Sequence, residues 1–236
     1  MQAKILQYLD QNDEKVNQWI DQINYYNKVT YWERDLAPDD GIDLTLNTVN
    51  VLSNIFELFK KFGGFKDTFD SSKFTLNLYG PSLIIKSVKT NVTYRFALDY
   101  ESLSLSTHLY NIKNLRHMDD NFWSQIMRLP SLGEFKLSEY EFYGKETIRG
   151  HEELFNNQKS SLFRIFRSYF LGSILNEGDI ISPDFETRWG YDLDFGDVVI
   201  KGCETFKLLY NLNYLLWKVD DLQNKKISNE SKAKKG

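Results

Sequence analysis

Residues 73–112 read KFTLNLYGPSLIIKSVKTNVTYRFALDYESLSLSTHLYNI. Phe74, Leu76 and Leu78 alternate with polar neighbours, and the turn Gly80-Pro81-Ser82 then leads into the run 83–88. Beyond Thr90-Asn91 come Val92, Tyr94, Phe96 and Leu98; beyond residues 99–102, Leu103, Leu105, Thr107 and Leu109 carry the pattern on. A period of two is that of a half-buried strand, and connections this short join antiparallel neighbours. The stretch therefore predicts a four-stranded antiparallel meander. Its apolar face has to be covered, so the fold class is α+β, with helices from both ends of the chain as the cover.

Those helices are legible on either side. Ile5, Leu6 and Leu9 predict a short helical turn. Val16, Trp19, Ile20 and Ile23 recur at helical spacing behind Asn12 and Asp13, either of which can cap. The run Leu36-Ala37-Pro38-Asp39-Asp40-Gly41 reads as a loop. Residues 43–62 put Val49, Leu52, Ile55, Phe56, Phe59 and Phe62 on one face, and Gly63-Gly64 offers a left-handed stop. After the meander, Asp119 and Asp120 cap a short helix carrying Phe122, Trp123, Ile126 and Met127, which Pro130 ends. Residues 134–143 read as a strand and residues 151–176 as a long buried helix. A last helix bears Phe206, Leu209, Leu212, Leu216 and Val219 and is expected to end near residue 222. The spacing predicts a single domain over 1–223 and a disordered lysine-containing tail over 224–236.

Composition narrows the class of protein. With 236 residues, 42% hydrophobic and 26% charged, the chain has enough apolar residues for one well-buried core. Alanine occurs only at 3, 37, 97 and 233 while Asn and Lys are plentiful, which points to an AT-rich coding source such as a low-GC bacterium or its phage. The single Cys203 excludes an internal disulfide framework and suits a reducing cytoplasm. Gln7 and Asp10 interrupt the N-terminal apolar run, which is too short for a signal sequence. No window approaches the run of about 18 apolar residues needed for a spanning helix. A cytoplasmic protein without membrane contact is expected.

Few motifs carry chemistry. His108, His117 and His151 are scattered, and His151-Glu152-Glu153 lacks the second histidine of a zinc-binding helix. Gly144-Lys145-Glu146-Thr147 lacks the upstream glycine of a phosphate loop. Neither a GxSxG elbow nor a GxGxxG after a strand is present. Leu171-Gly172-Ser173 followed by Asp192-Leu193-Asp194-Phe195 resembles the signature of polymerase-beta-type nucleotidyltransferases. The resemblance implies a glycine turn that admits a triphosphate and paired carboxylates, Asp192 and Asp194, that hold divalent metal ions. It covers seven residues, and the eighteen residues between Ser173 and Asp192 exceed the family's usual gap. Gly172-Ser173 also falls inside an expected helix rather than after a strand. A metal-dependent nucleotidyltransferase is therefore the alternative reading, and the leading one assigns no cofactor, metal or catalytic residue.

The leading reading comes from residues 178–204, GDIISPDFETRWGYDLDFGDVVIKGCE, which carry a net charge of −5 in a chain of net −4. Asp184, Glu186, Asp192 and Asp194 surround Trp189 and Tyr191. Carboxylates ringing an exposed aromatic anchor suit a basic protein partner. These six residues form the expected binding site of a non-catalytic intracellular protein-binding module, such as an immunity protein neutralising a basic toxin or nuclease. Direct nucleic-acid binding is not expected, because no basic stripe is visible in the linear sequence. The competing expectations are a solvated loop with turn and cap duties, in which Asp197 caps the last helix, and a structural subunit of a phage or other assembly.

Overall fold

The computed structural model describes residues 1–33, 38–78, 80–99, 102–137 and 184–233. Helices α1 (Gln2–Gln11) and α2 (Asp13–Asn27) lead through a π-helical turn (Lys28–Glu33) to α3 (Pro38–Gly63). Four strands follow: β1 (Phe69–Thr75), β2 (Ser82–Ser87), β3 (Thr93–Asp99) and β4 (Ser102–His108). A 3-10 turn (Ile112–His117), α4 (Asp120–Ile126) and a second 3-10 turn (Leu129–Ser131) precede β5 (Glu134–Leu137). The described chain resumes with β6 (Asp184–Gly190) and closes with α5 (Phe195–Ala233). The helix expected over 151–176 lies outside the described residues, as do His151, Gly172, Ser173 and residues 178–183.

The class is α+β, as expected, but the sheet is larger than a four-stranded meander. Among the described residues it has six antiparallel strands in the order β1-β2-β3-β4-β6-β5. The meander supplies the first four, and β6 pairs with β4 along its whole length, from Ser102 opposite Gly190 to His108 opposite Asp184. β6 also takes β5 on its other side, so residues read as an acidic surface segment form an interior strand.

One sheet face carries the core. Leu83, Ile85, Tyr94, Phe96, Leu98, Leu103, Leu105, Phe185 and Trp189 alternate inward and are all buried. α3 and α5 cover them, with α3 contributing Leu52, Ile55, Phe56 and Phe59, and α5 contributing Phe206, Leu209, Leu212 and Leu216. Phe206 is the hub: its ring lies edge-on to Phe56 at 5.2 Å, Phe65 at 5.1 Å, Phe69 at 5.2 Å and Tyr94 at 5.0 Å. Each such pair contributes about 0.5–1.5 kcal/mol beyond its buried area. One buried cluster takes in residues from Ile5 to Leu216, so helices from both ends share the core.

Four boundaries differ from expectation. β1 begins at Phe69, and Phe74 and Leu76, which alternate as a buried face would, are exposed at what is the sheet's edge among the described residues. The core is closed there by Phe69 instead, with a bulge between Asp70 and Lys73. α3 begins at Pro38, within the expected loop, because proline is tolerated in a first helical turn where its missing N–H is not needed. Asn12 stands at the start of α2 without capping it; its Nδ2 donates to the Tyr8 carbonyl at 2.8 Å. α5 does not stop near residue 222 but runs to Ala233, through most of the expected disordered tail, since no glycine or proline falls within 222–233 and Lys225 pairs with Asp221 one turn back. Gly64, at φ +69°, ends α3 as expected, and the Asp119 carboxylate caps α4 by accepting from the Phe122 N–H at 3.0 Å.

Candidate functional site

Strand alternation decides how the six expected site residues are arranged. Along β6, Phe185, Thr187 and Trp189 point into the core, while Glu186 and Arg188 lie on the other face. The strand therefore parts the aromatic from the carboxylate that the linear sequence sets beside it. Trp189 is 1% exposed, and its Nε1 donates to the Leu132 carbonyl at 2.7 Å. Gly133 makes that approach possible: a Cβ there would stand 2.7 Å from both Trp189 Nε1 and the Arg188 carbonyl. Trp189 is thus a core residue, correcting its expected place as an exposed anchor. A tryptophan within a strand buried on one face has nowhere else to go.

Tyr191 is half-buried and ties two loops together. Its hydroxyl lies 3.1 Å from the carbonyls of both Asp99 and Ser102, across the β3–β4 connection. Burial raises its phenol pKa, a hydrogen bond to Asn27 works the other way, and the charges of Tyr31 and Asp99 add to the rise. The hydroxyl stays protonated and acts as a donor.

Glu186 pairs with Arg188 through Oε1 and Nε on the sheet's outer face. β5 sets Glu134 opposite Arg188 and Lys136 opposite Glu186, and Lys136 Nζ lies 3.3 Å from Glu134 Oε1. Burial opposes the charge of Arg188, but Glu186, Asp99 and Glu134 outweigh it and raise the pKa. A shallow groove of about 430 Å³ opens here, lined by Ser102, Glu134, Lys136, Arg188, Asp192 and Leu193. Its two carboxylates face two cations, so the groove is polar and close to neutral.

Three of the segment's carboxylates gather at the turn after β6 and the start of α5. Asp192, Leu193 and Asp194 are exposed, as is Asp197 in the first turn of α5. Asp194 Oδ1 accepts from the Asp197 N–H at 3.2 Å, and the Asp194 carbonyl accepts from Val198 at 3.0 Å. Asp194, not Asp197, is therefore the cap of α5, and both carboxylates sit where the helix dipole favours them. Asp184 opens β6 opposite His108.

Asp192 and Asp194 stand on the turn between β6 and α5. Among the described residues no group of three or more His, Cys, Asp and Glu side chains could hold a metal ion. Nor, among them, is any helix long and apolar enough to cross a membrane.

Sequence reasoning missed a second concavity. A cleft of about 560 Å³ gathers Lys66, Lys89, Arg128 and Lys207 from four separate segments. No motif links these positions, and only their shared formal charge could have drawn attention to them. Comparison with protein-family models, with curated proteins and with solved structures finds no match.

Proposed function

We propose that the protein is a non-catalytic binding module whose acidic turn, Asp192 to Asp197, docks a basic protein partner, as immunity-type proteins neutralise a basic toxin or nuclease. The observation that carries this reading is the joint exposure of Asp192, Leu193, Asp194 and Asp197 on a turn braced by Tyr191 on one side and by the start of α5 on the other. Carboxylates held this way steer a cationic partner and set its orientation. Trp189 takes no part in the contact. Apolar contact falls to Leu193, 37% exposed, and to Leu6 of α1, 45% exposed, which packs beside Gly196. Small apolar contacts beside steering charges favour fast encounter over long residence.

The test is association kinetics with the partner captured from the native host, comparing wild type with Asp192→Lys/Asp197→Lys, a variant that spares the cap at Asp194. Association slowed about tenfold or more at low salt, with the difference shrinking as salt rises, is the expected outcome. Equal rates at every salt concentration would show that the partner docks elsewhere.

A second reading, an assembly subunit, draws support from the exposed Phe74 and Leu76 at β1, the edge strand of the sheet among the described residues. An unpaired edge with apolar side chains is a template for strand addition. Sedimentation of a monomer at high concentration would remove it.

A further inference from the structure

We propose that the cleft between the α3–β1 connection, the β2–β3 turn and α5 binds a phosphorylated small molecule bearing a flat ring, of the nucleoside-phosphate class. The site is independent of the acidic turn, and neither reading depends on the other.

Charge is the first reason. The chain is net −4, yet this one cleft is rimmed by Lys66, Lys89, Arg128 and Lys207 against, among the described residues, a single lining carboxylate, Glu204. Glu204 is engaged by Gln2, whose Nε2 donates to Oε1 at 3.0 Å. None of the four cations forms an ion pair among the described residues. Four like charges around one concavity repel one another and destabilise the empty protein slightly; an anion in the cleft relieves that repulsion.

Shape and rigidity are the second. At about 560 Å³ the cleft falls within the range of about 300–1,000 Å³ usual for small-molecule sites. Its walls are held from behind by Asp67, which accepts from the N–H of Thr68 at 2.7 Å, the N–H of Lys89 at 3.2 Å and Ser87 Oγ at 2.6 Å. This carboxylate is occupied by protein donors, so it fixes the backbone that carries Lys89 without competing for the ligand's cations. On the far wall Asn211 Nδ2 donates to Gln125 Oε1 at 2.5 Å, bracing α5 against α4.

The aromatic lining selects the ligand's body. Phe65 lies edge-on to Tyr210 at 5.2 Å, and Tyr210 and Tyr214 are stacked at 6.1 Å with 22° between their planes. Lys89 Nζ rests 4.9 Å from the centre of the Tyr214 ring, a position from which it can turn to a phosphate. Phosphate oxygens would meet the ammonium and guanidinium groups of the rim, and a base would lie against Phe65 and Tyr214. A polynucleotide would need cations extended along a track, whereas these converge on one cleft.

The experiment is calorimetric titration of the full chain with ADP, inorganic phosphate, adenosine and a short single-stranded oligonucleotide. The variants are Lys66→Glu/Lys207→Glu, Tyr214→Ala and, as a remote charge control, Lys113→Glu, each checked for folding by circular dichroism. ADP is expected to bind more tightly than phosphate or adenosine, and its affinity to fall about tenfold or more in Lys66→Glu/Lys207→Glu but to hold in Lys113→Glu. Tyr214→Ala is expected to weaken ADP and spare inorganic phosphate. Four results would overturn the proposal: no binding of ADP, adenosine binding as tightly as ADP, equal losses in Lys113→Glu and the double variant, or an oligonucleotide outcompeting ADP.

Discussion

Trp189 Nε1 donates to the carbonyl of Leu132 across 2.7 Å, joining the C-terminal end of β6 to the chain just before β5. The bond lies wholly inside the core, with both residues buried. Trp189→Phe leaves that carbonyl without its partner and should cost about 1–3 kcal/mol, and Trp189→Ala about 3–5 kcal/mol. Gly133→Ala presses a methyl group against the same contact and should cost about 1–3 kcal/mol. Urea denaturation measures all three; a loss near zero for Trp189→Ala would put this side chain at the surface.

Asp194 and Asp192 stand two residues apart and should behave differently. Asp194→Ala removes the cap of α5 and should lower stability by about 0.5–2 kcal/mol, with Asp194→Asn close to wild type. Asp192→Ala, at an exposed position outside any cap, should stay within about 0.5 kcal/mol of wild type. Thermal melts of the three variants decide this, and equal effects at both positions would contradict the assigned roles.

Acid should loosen the junction between α5 and the 3-10 turn at Ile112–His117. Asp220 accepts from Asn111 Nδ2 at 2.9 Å and Asn114 Nδ2 at 2.8 Å. Partial burial acts to raise its pKa, but these bonds and one from Tyr110 outweigh it and hold Asp220 below the ordinary carboxylate range. A depressed pKa contributes stability that is present above the unfolded value of about 3.9 and lost as pH falls through the folded one. The acid limb of the stability curve below about pH 4 should therefore be shallower in Asp220→Asn than in wild type. Superimposable limbs would show that Asp220 does not sense acid.

Cys203 should be inert in the native protein. Burial pushes its thiol up to about 12, Lys207 acts to lower it and Glu204 to raise it. At pH 8 roughly one thiol in ten thousand would be ionised, and its atoms are closed to solvent. A colorimetric thiol reagent should react in step with unfolding; rapid stoichiometric reaction of the folded protein would show that the site opens.

Local periodicity alone determined most of the scaffold. Alternation marked β2, β3 and β4, helical spacing marked the buried faces of α3 and α5, and Gly64 and Asp119 marked two helix ends, because each signal lies within a few residues of chain. Residues 69–75 were harder, since the bulge at Asp70 to Lys73 shifts the register and leaves the better alternation of Phe74 and Leu76 in solvent. What only the tertiary structure decided was partnership across the sequence. β6 reads as an acidic segment until β4 and β5 flank it, and only then do Trp189 and Glu186 part to opposite faces. Lys66, Lys89, Arg128 and Lys207 likewise sit in unrelated stretches, and packing of α5 against the sheet and α4 brings them to one cleft. The physical reason is common to both: side-chain periodicity is written in neighbouring residues, whereas the sharing of a face or a cleft depends on contacts between segments that the core, not the local sequence, brings together.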